Sequence, residues 1–225
     1  MDADRLRGEE CKMRYSGPSC KLCKKAEEKL FLKGSKCNTA KCIIARKAEK
    51  SDKKSRTKRT TSQKRRTKLS DYGIRLAEKQ KLRRIYGLSE KSFRIIFDTA
   101  SKKKGNTGEV FLTLLERRLD NVIFKMGFAN SRAHARQLVG HKFFIVGKRK
   151  VNIPSYLVKE GEVIKLDSAK QEKLKKTIST EAEMGVPLWL SSDRKKLEGK
   201  VLRDPKREEI SVPVEENLIV EFYSR

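Results

Sequence analysis

Apolar residues recur at helical spacing along the middle of the chain, where the pattern becomes helical from Ser70 onward. Ser89 is a candidate N-cap, and the residues that follow it at i, i+3, i+4 and i+7 spacing are Phe93, Ile96, Phe97 and Ala100. A run of lysines precedes Gly105 and complements the dipole at a helix C-terminus. The pattern predicts a helix that begins after Ser89 and ends before Gly105.

A second apolar stripe begins near Thr107, which is another candidate N-cap. It predicts one long helix that ends at Gly127 and buries Phe111, Leu114, Leu115, Leu119, Val122, Ile123 and Met126. A short third helix is predicted from Ser131 to Val139, closed by Gly140.

Beyond Gly140 the apolar period shortens to that of strands. Strands at 143–146 and 150–153 are predicted to form a hairpin around Gly147-Lys148, with a further strand at 163–166. Residues 168–185 have a lysine-rich helical pattern, and two strands are predicted in the tail, at 210–214 and 218–223. Because helices and strands are segregated along the chain, the predicted class is α+β.

The charge balance changes this picture from a fold alone to a fold with a partner. The 225 residues include 56 Lys and Arg against 29 Asp and Glu, a net charge of +27, and only 36% are apolar. Such a surplus opposes compaction unless a polyanion neutralises it. The apolar runs are far shorter than the roughly 20 residues that a membrane helix needs. We therefore expect a nucleic acid as partner, with no membrane and no small-molecule substrate.

The positive charge is densest in a segment that we call the basic arm, residues 46–68. It is rich in Lys, Arg, Ser and Thr and has no large apolar side chain, which is typical of a segment that an anionic partner orders. The alternative is a solvated linker. Its candidate RNA-binding residues are Arg46, Lys47, Lys64, Arg65 and Arg66.

The cysteines lie before residue 43, and their number is odd, which fits a reducing cytosol better than a disulfide framework. Cys20 and Cys23 form one pair, and Cys37 and Cys42 form a second pair at a spacing found in structural zinc sites. The spacing predicts structural zinc on these four thiolates. An iron–sulfur cluster on the same residues is the main alternative, followed by free structural or redox cysteines. Cys11 lies outside the pattern.

A basic surface is predicted for the third helix and the hairpin. Arg132 and Arg136 are four residues apart and share a helix face. The hairpin tip adds Lys148, Arg149 and Lys150. Such a surface suits phosphates at fixed spacing and the backbone geometry of A-form RNA. The two histidines, at 134 and 141, do not by themselves indicate catalysis, so no catalytic residue is predicted.

Several long motifs resemble those of bacterial small-subunit ribosomal protein four, in its branch with metal-binding cysteines. They are RYSGPSCKLC at 14–23, SDYGIRLAEKQKLRRIYG at 70–87, the stretch at 100–139 that contains ERRLDN, VNIPSY at 151–156 and LIVEFYSR at 218–225. Together they span nearly the whole chain in one order. The basic arm departs from the family's usual sequence after the cysteines, and residues 1–12 are expected to be an extension, with Met13 as a candidate start.

The resemblance implies a structural ribosomal protein rather than an enzyme. Family members bind 16S ribosomal RNA at a helix junction of the 5′ domain and nucleate assembly. They remain near the mRNA entry channel, contact ribosomal proteins five and three, influence decoding accuracy and in many bacteria repress their own translation. A cytoplasmic ribosome is expected rather than an organellar one.

The resemblance also implies a domain plan and an RNA-facing set of residues. The plan is a metal-binding segment at 1–45, the basic arm at 46–68, a helical rRNA-binding domain from 69–106 and 179–225, and an inserted helix–helix–hairpin RNA-binding module at 107–178. Outside the arm and the hairpin tip, the RNA-binding candidates are Arg14, Tyr15, Lys79, Lys81, Arg83, Arg84, Tyr86, Lys103, Lys104, Ser131, Arg132, Arg136, Gln137 and His141.

Two functions from other classes are possible alternatives. One is an RNA-modifying enzyme that carries this module as an accessory, although the chain shows no GxGxxG, Walker A or HExxH motif. The other is a zinc-dependent DNA-binding regulator with residues 131–139 as its recognition helix.

Overall fold

The structure is a computed structural model that describes residues 15, 17–56, 70–168, 185–193 and 196–224, without the side chains of 50–56. Four predicted RNA-binding residues therefore lie outside the described residues: Arg14, Lys64, Arg65 and Arg66. Most of the predicted helix at 168–185 and most of the basic arm also lie outside them.

The described residues form eight α-helices and a small antiparallel sheet, which confirms the α+β class. The helices are α1 (Ser19–Ala26), α2 (Ile43–Arg56), α3 (Asp71–Tyr86), α4 (Glu90–Ser101), α5 (Thr107–Glu116), α6 (Leu119–Lys125), α7 (Arg132–Gly140) and α8 (Glu216–Tyr223). The strands are β1 (Phe144–Val146), β2 (Arg149–Lys150), β3 (Val163–Leu166), β4 (Leu190–Asp193) and β5 (Glu198–Val201), in the order β2-β1-β3-β5-β4. None of these helices is long and apolar enough to cross a membrane.

Side-chain caps define where the middle helices begin. The Ser70 hydroxyl accepts a hydrogen bond from the Gly73 N–H, and the Ser89 hydroxyl accepts one from the Ser92 N–H. The helix predicted after Ser89 is thereby confirmed as α4. The cap of α5 is Asn106 rather than the predicted Thr107, because the Asn106 side chain accepts from the Gly108 N–H.

The prediction of one long helix from Thr107 to Gly127 is wrong in one respect, because the chain forms two helices there, α5 and α6. The chain leaves helical geometry at Arg118 (φ −65°, ψ 136°), which forms a β-bridge with Leu157. Leu119 N–H donates to the Tyr156 carbonyl at 2.8 Å. A loop distant in sequence thus provides backbone partners at the break, while the apolar spacing continues across it.

The third helix and the hairpin follow the prediction with shifted ends. Helix α7 continues through Gly140, and the left-handed residue that follows it is Lys142 (φ 56°). Gly147 begins the hairpin turn with φ +60°, which glycine adopts without strain. The second strand of the hairpin is predicted at 150–153, but β2 ends at Lys150 and residues 151–153 are not in a strand.

The two predicted tail strands are wrong. Residues 210–214 have no regular strand, and residues 216–223 form α8. The helix packs its apolar face on α3 and α5, with Ile219 fully buried and the Tyr223 ring stacked on Phe97 at 4.5 Å. Residues 218–223 contain three aliphatic and two aromatic residues, and the periodicity of so short a run does not distinguish a strand from a helix. Packing on α3 favours the helix.

Two hydrophobic clusters organise the described residues. The helical cluster contains residues of α3, α4, α5 and α8 together with Cys23 and Leu30. The sheet cluster contains residues of α6, α7 and the sheet, including Trp189 and Val201. Their division differs from the predicted domain plan, because α5 packs with the helical cluster and residues 189–201 pack with the sheet cluster.

Candidate nucleic-acid interface

A cleft of about 510 Å³ lies between α1, the C-terminal end of α3 and the start of α7. Its basic residues come from all three helices: Lys25, Arg83, Arg84, Arg132 and Arg136. Tyr15 and Phe31 also line it, and their side chains are 50% and 47% exposed. None of the described residues that line the cleft is acidic. The cleft thus combines positive charge with exposed aromatic rings.

Arg132 is held by contacts inside the protein rather than projecting from a free helix face. Its guanidinium lies over the rings of Tyr86 and Phe124, at 4.9 and 4.8 Å from their centroids. Its Nε donates to the Asn121 side-chain oxygen at 2.8 Å. Arg132 still lines the cleft together with Arg136, and its contact with RNA stays a prediction.

Arg136 contacts residues next to both hydrophobic clusters, Gly87 at the end of α3 and Asp120 on α6. One guanidinium nitrogen donates to the carbonyl of Gly87, the C-cap of α3, at 2.7 Å, and the other lies 3.0 Å from an Asp120 carboxylate oxygen. Arg118 contacts the same carboxylate at 2.9 Å. Asp120 therefore orients arginines within the protein, and Arg136 connects α7 to the end of α3.

Beneath Arg132 lies a buried polar network centred on Glu116, whose side chain is 1% exposed. The Tyr86 hydroxyl donates to one carboxylate oxygen at 2.5 Å, and the Asn121 amide donates to the other at 2.7 Å. Burial and the neighbouring Glu116 charge raise the pKa of Tyr86 well above its ordinary value. Tyr86 is 3% exposed, so this arrangement does not support the predicted RNA contact.

The lysines predicted for RNA on α3 also pair within the protein. Lys79 lies 2.6 Å from Glu90 and Lys81 lies 2.7 Å from Glu28, and both lysines are at most 9% exposed. Arg83 shares Glu90 at 3.0 Å. Their charges are matched because α3 faces α4 and the loop after α1, which the linear sequence does not show.

Arg84 differs from its neighbours on α3. Within the part of the chain that the structure describes, no carboxylate pairs with its guanidinium. Burial, and then the nearby Arg83 charge, lower the pKa of Arg84 below its ordinary value. This half-buried cation therefore lacks compensation and would gain most from an anion in the cleft.

The other predicted RNA-binding residues lie outside the cleft, except Gln137, which lines it. Lys148 and Arg149 at the hairpin tip are exposed, whereas Lys150 pairs with Asp167 at 2.6 Å. The Ser131 hydroxyl caps α7 by accepting from the His134 N–H. The remaining exposed candidates are Arg46, Lys47, Lys103, Lys104, Gln137 and His141.

The four cysteines of the predicted metal site are free thiols on the segment that contains α1 and the start of α2. Cys23 and Cys37 are buried, and the backbone N–H of Lys33 lies 3.4 Å from the Cys37 sulfur. Burial raises the pKa of Cys23, with the other three thiols adding to it, while backbone N–H groups of α2 lower the pKa of Cys42. No group of three or more His, Cys, Asp or Glu side chains among the described residues is placed to hold a metal ion.

This cysteine segment is fitted closely against the rest of the protein. Gly34 has φ +58°, and a Cβ at this position would lie 2.0 Å from the backbone oxygen of Asn130, in the loop before α7. Cys23 and Leu30 are members of the helical cluster. The segment therefore packs against both the helical cluster and the loop before α7.

Sequence reasoning missed the residues after Tyr15 that line the cleft on the cysteine segment, namely Ser19, Leu22, Lys25, Phe31 and Leu32. A signal was present, since Leu30-Phe31-Leu32 is an apolar run between lysines inside the cysteine spacing. It also missed Glu116, whose buried role depends on partners from α3 and α6.

Comparisons with known proteins agree along the chain. Residues 14–116 match the family described as "Ribosomal protein S4/S9 N-terminal domain", and residues 117–164 match the "S4 domain". A small ribosomal subunit protein uS4A of Symbiobacterium thermophilum is 51% identical over 94% of this chain and 99% of its own length. The uS4 proteins of Halothermothrix orenii and Dictyoglomus turgidum are each 50% identical, with the same coverage.

Proposed function

Because this chain belongs to the uS4 family of small ribosomal subunit proteins, we propose that it is a structural constituent of the small subunit that binds ribosomal RNA. The observation that carries this function is identity near 50% to uS4 proteins across 94% of the chain and 99% of theirs. The family is structural, so no catalytic residue is assigned.

The finer proposal is that the chain binds 16S ribosomal RNA at a 5′-domain helix junction and nucleates assembly. The basic cleft, the exposed hairpin tip and the net charge of +27 support a phosphate-rich partner. Helix–loop–hairpin modules of this kind suit RNA shape rather than base edges in a duplex. The ribosome would be cytoplasmic.

The DNA-binding alternative is disfavoured by α7. A recognition helix has to present free side chains to a groove. Arg132 and Arg136 are instead held by Asn121, Asp120 and the Gly87 carbonyl.

Binding measurements test the proposal with the full chain. We expect it to bind a 5′-domain transcript of 16S rRNA more tightly than duplex DNA of similar length at matched salt, and to remain with small subunits during sedimentation through high salt. Equal affinity for both nucleic acids, or release from the subunit, would contradict the ribosomal function.

We also propose the partner contacts that the family resemblance implies, namely ribosomal proteins five and three and mRNA at the entry channel. Effects on decoding accuracy and repression of the protein's own translation belong to the same proposal. Crosslinking within assembled small subunits tests the protein contacts, and a reporter fused to the protein's own leader tests repression. Crosslinks to neither protein would contradict the proposed position.

Structural zinc on Cys20, Cys23, Cys37 and Cys42 is a further part of the proposal. The support is the chemistry of the residues: four soft thiol donors lie on one segment, and two of them are buried. Zinc would supply cross-links between α1 and the start of α2. An iron–sulfur cluster on the same residues is the alternative.

Metal analysis of the full-length protein separates these possibilities. We expect about one zinc per chain, lost in Cys20→Ser and retained in the matched control Cys11→Ser. Visible absorption with bound iron would favour the cluster instead. A metal-free protein in which Cys20→Ser changes nothing would reject both.

A further inference from the structure

We propose that the cleft between α1, α3 and α7 receives a single unstacked nucleotide of the bound RNA, with its base on Tyr15 and Phe31 and its phosphate at Arg84. This inference rests on the proposed RNA-binding function and goes beyond it. Backbone contacts alone would need only surface cations, whereas this cleft also offers apolar depth.

The size and lining of the cleft fit a nucleotide. Its volume of about 510 Å³ lies within the range of small-ligand sites. Leu22, Leu32 and Leu88 supply apolar surface, and Gln137 supplies both a donor and an acceptor. A splayed base needs this combination, because its faces are apolar and its edges are polar.

The two aromatic rings are available for stacking. Neither Tyr15 nor Phe31 packs against another aromatic ring among the described residues, and both are about half exposed, at 50% and 47%. Phe31 also has φ +49°, which is strained for a bulky side chain. An exposed aromatic residue held in a strained conformation costs stability, and such strain clusters at ligand sites.

Charge selects RNA over a neutral ligand. Five cations line the cleft, and Arg83, Arg132 and Arg136 already have partners within the protein. Arg84 has no carboxylate partner among the residues described, and it lies beside Arg83. A phosphate at Arg84 supplies the missing counter-charge.

Binding of variants to the 5′-domain transcript tests the aromatic part. Phe31→Ala and Tyr15→Ala are each expected to weaken binding about 5- to 100-fold, as for loss of base–aromatic stacking. Phe31→Tyr keeps a ring and is expected to bind as the unmodified protein does. Tyr72→Ala is the control, because Tyr72 is 56% exposed but packs on Phe222, away from the cleft.

Stability separates a ligand site from a folding defect. Phe31→Gly suits the left-handed backbone and is expected to keep or raise the Tm while RNA affinity falls. Arg84→Gln relieves an uncompensated charge, so we expect an unchanged or higher Tm, weaker binding and a log–log salt slope smaller by about one. Arg84→Lys is expected to restore the slope.

Chemical probing at nucleotide resolution gives the direct readout. One unpaired nucleotide of the transcript should be protected by the unmodified protein and become reactive again with Phe31→Ala, at concentrations where the complex still forms. If the unmodified protein binds the transcript but the cleft variants bind and protect equally well, this inference is wrong and RNA binding stands. If those variants instead lose only a ribosomal protein partner, the occupant is a protein. If the unmodified protein does not bind the transcript, the proposed function itself fails.

Discussion

Glu116 shows how one buried carboxylate organises residues that are far apart in sequence. Its oxygens accept from Tyr86, 30 residues earlier, and from Asn121 on α6, while Arg132 lies over the Tyr86 ring. A charge in this position is tolerated because each carboxylate oxygen accepts a hydrogen bond, one from Tyr86 and one from Asn121. The network therefore fixes the floor of the cleft.

Removing one donor tests the network. Tyr86→Phe leaves a buried carboxylate oxygen without its hydroxyl partner, and we expect a loss of about 1–3 kcal/mol in the free energy of unfolding, measured by urea denaturation. Tyr156→Phe is the matched control, since it removes a hydroxyl bond to Glu162 at a less buried position. Equal losses for the two variants would contradict the importance of burial at Glu116.

His134 on α7 predicts a dependence on pH. Burial lowers the pKa of His134 below its ordinary value, so the unfolded chain binds the proton more readily than the folded one. This group's contribution to stability is present above the unfolded pKa of about 6.5 and decreases as the pH falls towards the folded pKa. His134→Gln should therefore lose less stability between neutral and mildly acidic pH. Parallel pH profiles for both proteins would disprove the assignment.

At the scale of elements, the cysteine segment is attached to the rest of the molecule by close contact at Gly34. Gly34→Ala places a Cβ against the Asn130 backbone oxygen at 2.0 Å and strains φ +58°. We expect a loss of at least about 1 kcal/mol, because both effects oppose the packed state. Hydrogen exchange should become faster in α1 while the sheet is unaffected.

A matched glycine provides the control. Gly140 lies inside α7, where a Cβ would have nothing within 4 Å. Gly140→Ala is therefore expected to stabilise the protein by about 0.5–1 kcal/mol through helix propensity. If the alanines at 34 and 140 had the same effect, the close fit of the cysteine segment would be excluded.

The break between α5 and α6 shows how an element end is decided. The Arg117 carbonyl accepts from the Val158 N–H at 2.9 Å, and the Arg117 side chain pairs with Asp204. These partners are 41 and 87 residues away. Local propensity alone would predict that α5 continues past Glu116. Contacts with Val158 and Asp204, which are distant in sequence, end the helix there.

At the scale of the whole molecule, the hairpin tip tests sequence-independent RNA binding. Lys148 and Arg149 are exposed and have no carboxylate partner among the described residues. Replacing both with Ala should weaken binding to the 16S transcript and reduce the log–log salt slope by about one for each phosphate that is no longer neutralised. The charge-preserving pair Lys148→Arg and Arg149→Lys should keep the slope. An unchanged slope in the alanine variant would exclude the tip from the interface.

The two hydrophobic clusters predict how the molecule responds to chelation. If zinc holds the cysteine segment, a chelator should expose residues 19–42 to hydrogen exchange while α3 to α8 and the sheet stay protected, because most of both clusters lies outside that segment. Cooperative loss of protection throughout the chain would contradict this separation.

The sequence by itself determined the features that depend on a few neighbouring residues or on totals. Capping by Ser89, the turn at Gly147, the α+β class and a positive surplus that requires an anionic partner follow from local pattern and composition. It did not determine which cations are available, since Lys79 and Arg136 find partners 11 and 49 residues away. Only the tertiary structure decided that α8 is a helix, that α5 ends at Glu116 and that Arg84 remains uncompensated in an aromatic cleft. The physical reason is that burial and ion pairing depend on which segments meet in space, and periodicity does not encode which segments those are.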